Sequence, residues 1–483
     1  MPFEYIKKEN VYKYLSEGKW LFSNSNKTID LKSISNEDLG KLQNISRKEI
    51  DEMLKYAKSA QKKWYNLPMN KRAEILVKAS YLLEKNKDIL AELLIKEIGK
   101  PKSLALNEVV RTAKLIRSTA EEGLRLNGEI IESESEYGKD KSKKAFVSRA
   151  PLGVILAISP FNYPINLSVS KIAPALISGN SVVIKPSLQG AISVIHICEL
   201  FLEAGIPPGV LNLATGKSSE IGDYLVSHEL IDMIAFTGST EVGKRIAKLA
   251  GMKPLLFELG GKDATLILED ADIDLAVKEC IHGAFSYSGQ RCTAVKRIIV
   301  SEKIADNFVK KFSNEAKTLK IGKPEDDSFI SPLINKEASD YIQELVDDAY
   351  KNGAKKIMCD ARKNNLWGPS IFDNVNEKCR LYHEEQFGPL VPIIRFKTEE
   401  EGITHVNNSD YGLQCSIFTK NIEKAFKIAN RLDVGTVQIN GKSDRSPDIF
   451  PFSCTKSSGM GTQGIKYSIE AMTRIKSVVL NFN

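Results

Sequence analysis

The sequence predicts an α/β protein: a doubly wound parallel sheet followed by a second α/β unit. Three observations carry this. From Gly153 onward, short apolar runs alternate with segments of helical periodicity, the pattern of parallel strands joined by crossover helices. A second series of the same kind runs from Ala264 to Asn440. The 483 residues are 42% hydrophobic and 27% charged, an ordinary globular balance with room for two or three domains.

Taken in order, the first third reads as helical. Ser46-Arg47-Lys48-Glu49 is a capping box that opens a helix running to about Trp64. Asn70 to about Lys96 and Ser103 to about Arg125 read as two further amphipathic helices. Ser133 to Arg149 is polar and charged, and reads as a hairpin-like excursion toward a partner subunit. The first sheet takes its strands from Val154–Ile158, Ser181–Ile184, Val210–Leu213, Met233–Phe236 and Leu255–Phe257. Helices are expected between them, at Ala191–Glu203 and Glu241–Ala250. The second series has strands near Thr265–Leu268, Arg297–Val300, Ile393–Phe396, Ser416–Phe418 and Thr436–Ile439, with a helix over Asp272–Tyr287. The tail Ile475–Phe482 reads as a strand that completes a sheet elsewhere.

The net charge of +7 is spread along the chain, which argues against nucleic acid as a partner and only weakly for small anionic ligands. The N-terminus has no apolar core of signal-peptide length, and no run reaches the roughly 18 apolar residues of a membrane span. Seven cysteines without a C-x-x-C pair fit a reducing cytoplasm, and argue against a disulfide framework or a zinc site.

The chemistry concentrates in Gly289-Gln290-Arg291-Cys292-Thr293 and Phe257-Glu258-Leu259-Gly260-Gly261-Lys262-Asp263. A thiol is intrinsically nucleophilic and attacks a carbonyl once positioned. Glu258, set in an apolar run, is expected to have its pKa raised by desolvation toward the range that activates water. Pro160-Phe161-Asn162-Tyr163-Pro164 closes a strand with an amide able to donate to an oxyanion, although such a turn is ordinarily only a turn. Two strand ends suit a phosphate. Phe236-Thr237-Gly238-Ser239 opens a helix, and Val183-Ile184-Lys185-Pro186-Ser187 puts a lysine at the carboxyl edge of the sheet. Gly459-Met460-Gly461-Thr462-Gln463-Gly464 matches G-x-G-x-x-G but is followed by too little chain for a βαβ unit. In Gly238–Lys244 a near P-loop fails because Arg245 stands where Ser or Thr would hold Mg²⁺.

These motifs, with Glu385-Gln386-Phe387-Gly388-Pro389, occur in an order and spacing that resembles the aldehyde dehydrogenase superfamily over essentially the whole chain. Tyr287–Arg297, Asp444–Phe452 and Tyr467–Thr473 are similar to its NADP-dependent, non-phosphorylating glyceraldehyde-3-phosphate dehydrogenase branch. The resemblance implies an aldehyde dehydrogenase-like fold with three parts. A cofactor-binding domain would span 1–130, 150–256 and 440–465, a catalytic domain 257–439, and a small β oligomerisation element 131–149 and 466–483. It implies Cys292 as nucleophile, Glu258 as the base that activates water, and Asn162 with the Cys292 backbone N–H as the oxyanion hole. It places Lys185, Ser187, Gly238, Ser239, Gly243, Glu385 and Phe387 on the cofactor. Arg111, Tyr163, Arg291, Thr293 and Arg445 fall on a phosphorylated aldehyde, with Arg291 also lowering the thiol pKa. Leu188 stands where NAD-preferring members carry a glutamate for the ribose, so NADP is the implied cofactor, with NAD left open. A homotetramer, a dimer of dimers, is the implied assembly.

Other readings stay open at this point. Arginines bind carboxylates as readily as phosphates, so succinic semialdehyde or another small acidic aldehyde is an alternative substrate. A nicotinamide-free cysteine hydrolase would need one of five histidines, yet His282, ten residues before Cys292, reads as a packing residue.

Overall fold

The computed structural model describes residues 4–133, 143–359, 362–445 and 447–482. Its larger sheet has eight strands, in the order Gly459–Met460, Leu255–Glu258, Met233–Thr237, Val154–Ile158, Ser181–Lys185, Leu211–Leu213, Tyr14–Ser16 and Lys19–Leu21. The five inner strands are parallel. Their spatial order, 3-2-1-4-5 in chain order, reverses between Val154–Ile158 and Met233–Thr237. Open α/β sheets bind ligands at such a reversal, beyond the carboxyl ends of the strands.

The second sheet has seven strands: Lys355–Cys359, Ser370–Asp373, Leu390–Phe396, Arg297–Ser301, Ala264–Ile267, Gln414–Phe418 and Thr436–Ile439. All pair in parallel except the edge strand Lys355–Cys359. Separate hydrophobic clusters pack on its two faces. The tail Thr473–Asn481 pairs antiparallel with Lys143–Pro151 along its whole length, and Glu129–Glu132 joins the far side. The expected excursion and tail strand therefore form one three-stranded sheet, while the part of the excursion at 134–142 lies outside the described residues.

Four sequence expectations need correction. The first third is not all helical: Tyr14–Ser16 and Lys19–Leu21 extend the large sheet, and Thr28–Lys32 and Asp38–Gln43 belong to a four-stranded sheet. Tyr14–Ser16 and Lys19–Leu21, of three residues each, are too short for periodicity to show them, whereas Thr28–Lys32 does alternate apolar with polar. The long helix from Asn70 is two helices, Met69–Lys85 and Lys87–Ile98, broken at Asn86. The helix before the nucleophile ends at Phe285, because Tyr287 (φ 53°), Ser288 (φ 56°) and Gly289 (φ 70°) turn left-handed. Finally, the G-x-G-x-x-G segment does contain strands. Gly459–Met460 pairs with Phe257 and Glu258 at the sheet edge, where a Cβ on Gly459 would collide with the Phe257 carbonyl.

Candidate active site

Asn162, Lys185, Ser239 and Glu258 are delivered by strand ends or a helix start. Val154–Ile158 ends in Ser159–Tyr163, and the helix Pro164–Ile177 begins immediately after with proline at its first turn. Its free N–H groups are capped from outside: the Glu108 carboxylate accepts from Ile165 N and Asn166 N, each at 3.0 Å. Asn162 is thereby buried at a fixed point, with its side-chain amide donating to the Gln290 carbonyl at 3.0 Å. The loop that carries Asn162 is thus tied to the loop that carries Cys292.

The Cys292 thiol donates to Glu258 Oε1 over 3.3 Å. Burial pushes the thiol well above its ordinary value and Glu258 adds to this, against Lys296 and Arg445, which favour the thiolate. Glu258 departs from expectation. Burial does push its carboxyl up, but Arg445 and Lys171 outweigh it, and the group is held below its ordinary value. Arg445 Nη1 pairs directly with Glu258 Oε2, and Arg445 Nη2 donates to Gln463 Oε1 at 2.6 Å. Thr237 Oγ1 donates to Glu258 Oε2 at 3.3 Å and accepts from Lys171 Nζ at 2.7 Å. Burial depresses the Lys171 ammonium to about 7.

A cleft of about 450 Å³ opens on one side of Cys292 at the strand reversal. Asn162, Lys185, Ser187, Gly238, Ser239, Glu385 and Phe387 line it, as expected. Ser239 caps the helix Thr240–Leu249, whose first N–H groups face the cleft end of the sheet. Lys185, almost fully buried, donates to Ser218 Oγ at 2.9 Å, and burial depresses it to about 8. Phe387 is left-handed (φ 42°), its ring edge-on to Phe161 with centroids 6.0 Å apart. Glu385 pairs with Lys296 at 3.0 Å, and Lys296 also donates to the Cys292 carbonyl. Anion-binding N–H groups, a buried ammonium and apolar walls fit a dinucleotide. Gly243 does not line this cleft: it sits in the following helix, where a Cβ would come within 2.5 Å of Leu259 Cδ2. Leu188 borders a separate cavity.

A second cavity, about 410 Å³, is lined by Arg111, Tyr163, Arg291, Lys442, Asp444 and His282, among others. Arg111 is held by Asp448 (Nη2 to Oδ1, 2.6 Å; Nε to Oδ2, 2.8 Å). Arg291 Nη2 donates to the carbonyls of His282 and Gly283, while its buried Nε has no partner among the described residues. The Arg291 guanidinium is therefore turned onto the preceding helix, and it is Lys296 and Arg445 that act on the thiol. Arg445 and Thr293 do not line this cavity. Arg445 is engaged by Glu258 instead, and Thr293 is buried with its carbonyl accepting from Ser443 Oγ at 2.9 Å. His282 packs edge-on against Phe329 as expected.

Sequence reasoning missed Lys171, Lys296 and the role of Thr237. Lys171 had a visible signal: it is the only charged residue in the helix Pro164–Ile177, all of which is buried.

Comparison with known proteins agrees with this geometry. The family model described as "Aldehyde dehydrogenase family" matches residues 20–478. An NADP-dependent glyceraldehyde-3-phosphate dehydrogenase of Streptococcus equinus is 51% identical over 470 residues, covering 97% of this chain and 98% of the relative. One from Pisum sativum is 47% identical over 475 residues, covering 98% and 96%. The solved structure of the Bacillus halodurans C-125 enzyme of that name, complexed with NADP, superposes with a TM-score of 0.96 at 47% identity, covering 98% of this chain and 99% of that one. With a fold of this order and a Cys–Glu pair at the reversal of its strands, the chain belongs to the aldehyde dehydrogenase family.

Proposed function

We propose that this protein oxidises D-glyceraldehyde 3-phosphate to 3-phosphoglycerate with NADP⁺ and water, without inorganic phosphate. The observation that carries the reading is near full-length identity of 51% to a relative of that name, joined to a thiol–carboxylate pair whose cysteine lines the 450 Å³ cleft.

Glu258 takes the thiol proton as Cys292 Sγ bonds to the aldehyde carbon and the carbonyl electron pair moves onto oxygen. Asn162 donates to that oxyanion; removing one such donor typically costs about 3 kcal/mol, roughly 10²–10³-fold in rate. Bound in the 450 Å³ cleft, the nicotinamide of NADP⁺ supplies the hydride acceptor. Loss of hydride from the former aldehyde carbon leaves a thioester on Cys292. Once Glu258 has released the first proton to solvent it withdraws a proton from water, the water oxygen bonds to the acyl carbon, and the C–S bond breaks to release the acid and the Cys292 thiolate, which takes the proton back from Glu258. Glu258 is well placed for both steps, since Arg445 and Lys171 keep it ionised despite its burial.

Lys185, Ser187, Gly238, Ser239, Glu385 and Phe387 would hold NADP. Arg291, Arg111 and Tyr163, which line the second cavity, would take the substrate phosphate. Arg445 acts on Glu258 rather than in this clamp, a change from the sequence expectation. The exposed apolar side chains of the three-stranded sheet, among them Ile131, Phe146, Val478 and Leu480, support its assignment as an oligomerisation element and a tetrameric assembly. The two large sheets support separate cofactor and catalytic domains. Among the described residues no helix is long and apolar enough to cross a membrane, and free cysteines throughout favour a cytoplasmic location.

The test is steady-state NADPH formation in phosphate-free buffer, with glyceraldehyde 3-phosphate, glyceraldehyde and succinic semialdehyde compared, and NADP against NAD. The phosphorylated aldehyde with NADP should give the highest kcat/KM. A higher value with succinic semialdehyde would overturn the substrate assignment.

A further inference from the structure

Against the Asn162–Tyr163 turn lies a fully buried lysine that the mechanism above does not use. Lys100 is 0% exposed. Its ammonium is paired with Glu108 Oε2, donates to the Asn162 main-chain carbonyl at 2.8 Å, and sits 3.4 Å from the centre of the Tyr163 ring and 4.9 Å from that of Tyr287. The same Glu108 carboxylate caps the helix that begins immediately after Tyr163. Tyr287 opens the left-handed turn before the nucleophile, and its hydroxyl donates to the Ile98 carbonyl at 3.1 Å, two residues from Lys100. Burying an ammonium is costly, and an apolar side chain of the same volume would fill the space without that cost. What an apolar group cannot supply is a simultaneous grip on a carbonyl, a carboxylate and two aromatic faces.

We propose that Lys100 is a positioning residue for aldehyde oxidation: held by Glu108, it fixes the Asn162 carbonyl and the Tyr163 ring, and so aims the Asn162 amide at the oxyanion forming on the Cys292 adduct. The proposal rests on the oxyanion role of Asn162 given above. Lys100 touches neither substrate nor cofactor. Its effect passes through one main-chain carbonyl and one ring, and should appear in the step that forms NADPH rather than in NADP binding, because it lies outside the nucleotide cleft.

The experiment is a double-mutant cycle on the full-length protein with Lys100→Met, Asn162→Ala and the double variant. It reads the single-turnover rate of NADPH formation, NADP binding and Tm. A displacement of about 1 Å costs roughly 10²-fold, so Lys100→Met should slow NADPH formation between about 10- and 100-fold. Its NADP affinity should stay within about twofold of the parent, and the double variant within about threefold of Asn162→Ala alone. Slowing that multiplies with that of Asn162→Ala, or a folded Lys100→Met as fast as the parent, overturns the proposal while leaving the Asn162 role intact. If Asn162→Ala itself leaves the rate unchanged, the oxyanion reading fails first and the proposal with it. Should Lys100→Met not fold, Glu108→Gln carries the same cycle. It keeps acceptors for the helix cap but removes the charge that holds Lys100, and must again be non-additive with Asn162→Ala.

Discussion

The nucleotide cleft, which Cys292 lines, and the second cavity, which its chain neighbour Arg291 lines, are built on opposite principles. The nucleotide cleft is made largely from strand ends of one sheet, and its polar side chains are hydroxyls, the Asn162 amide, the Glu385 carboxylate and one buried ammonium, Lys185. The substrate cavity draws residues from positions 111, 163, 291 and 444, far apart in sequence, and its cations are already engaged: Arg111 by Asp448, Arg291 by two helix carbonyls. A dinucleotide offers many weak contacts, so a cradle of local groups is enough to hold it. A small dianion must be located by few contacts, and arginines pre-oriented by fixed acceptors lose little freedom when it arrives.

The largest expected effect is at the nucleophile. Cys292→Ala removes the proposed nucleophile, and aldehyde oxidation should fall by at least about 10⁴-fold in single-turnover NADPH assays. NADP binding, measured by equilibrium titration, should persist, since the cleft is complete without the thiol. Asn162→Ala comes next, with NADPH formation slowed by roughly 10²–10³-fold.

Smaller effects should separate the two sides. Arg291→Ala removes a charged donor and should raise the KM for glyceraldehyde 3-phosphate by roughly 10- to 100-fold, from a charge-assisted hydrogen bond worth about 1.5–3 kcal/mol. Its KM for unphosphorylated glyceraldehyde and for NADP should barely move. Lys185→Met should do the reverse, weakening NADP by about tenfold and leaving the aldehyde KM unchanged. Equal changes in both constants for either variant would mean that the two cavities are not independent.

The same contrast explains what the sequence made legible. The parallel strands, the Gly238–Ser239 helix start and Lys185 are local patterns, and each lies where periodicity and strand-end chemistry put it. Cys292, Glu258 and Asn162 were legible as a set, and the fold brings Cys292 to 3.3 Å from Glu258 and Asn162 to the carbonyl of Gln290. Partnerships were not legible. Arg445 pairs with a residue 187 positions away, and nothing local distinguishes a guanidinium that will clamp substrate from one that will hold a carboxylate. The Glu258 pKa failed for the same reason. Its apolar sequence neighbours were visible, whereas Arg445 and Lys171 reach it only through tertiary structure. The left-handed Tyr287–Gly289 turn was hidden because helical periodicity runs straight into it.

Arg445 supplies the smallest and most discriminating prediction. It holds the Glu258 carboxyl down against burial and favours the Cys292 thiolate. In Arg445→Met burial is opposed by Lys171 with less help, so the carboxyl pKa rises. Glu258 activates water only as the carboxylate, so thioester hydrolysis is lost as pH falls through that pKa. The acid limb of the deacylation profile should therefore move to higher pH, by about one unit for each 1.4 kcal/mol of lost attraction. The thiol loses one of its two favourable cations, so its pKa climbs further and cofactor-free alkylation by iodoacetamide should slow at any fixed pH below it. If instead both pH profiles stay in place and the KM for the phosphorylated aldehyde rises as in Arg291→Ala, Arg445 leaves Glu258 when substrate binds. The boundary between the two cavities would then shift with the ligand.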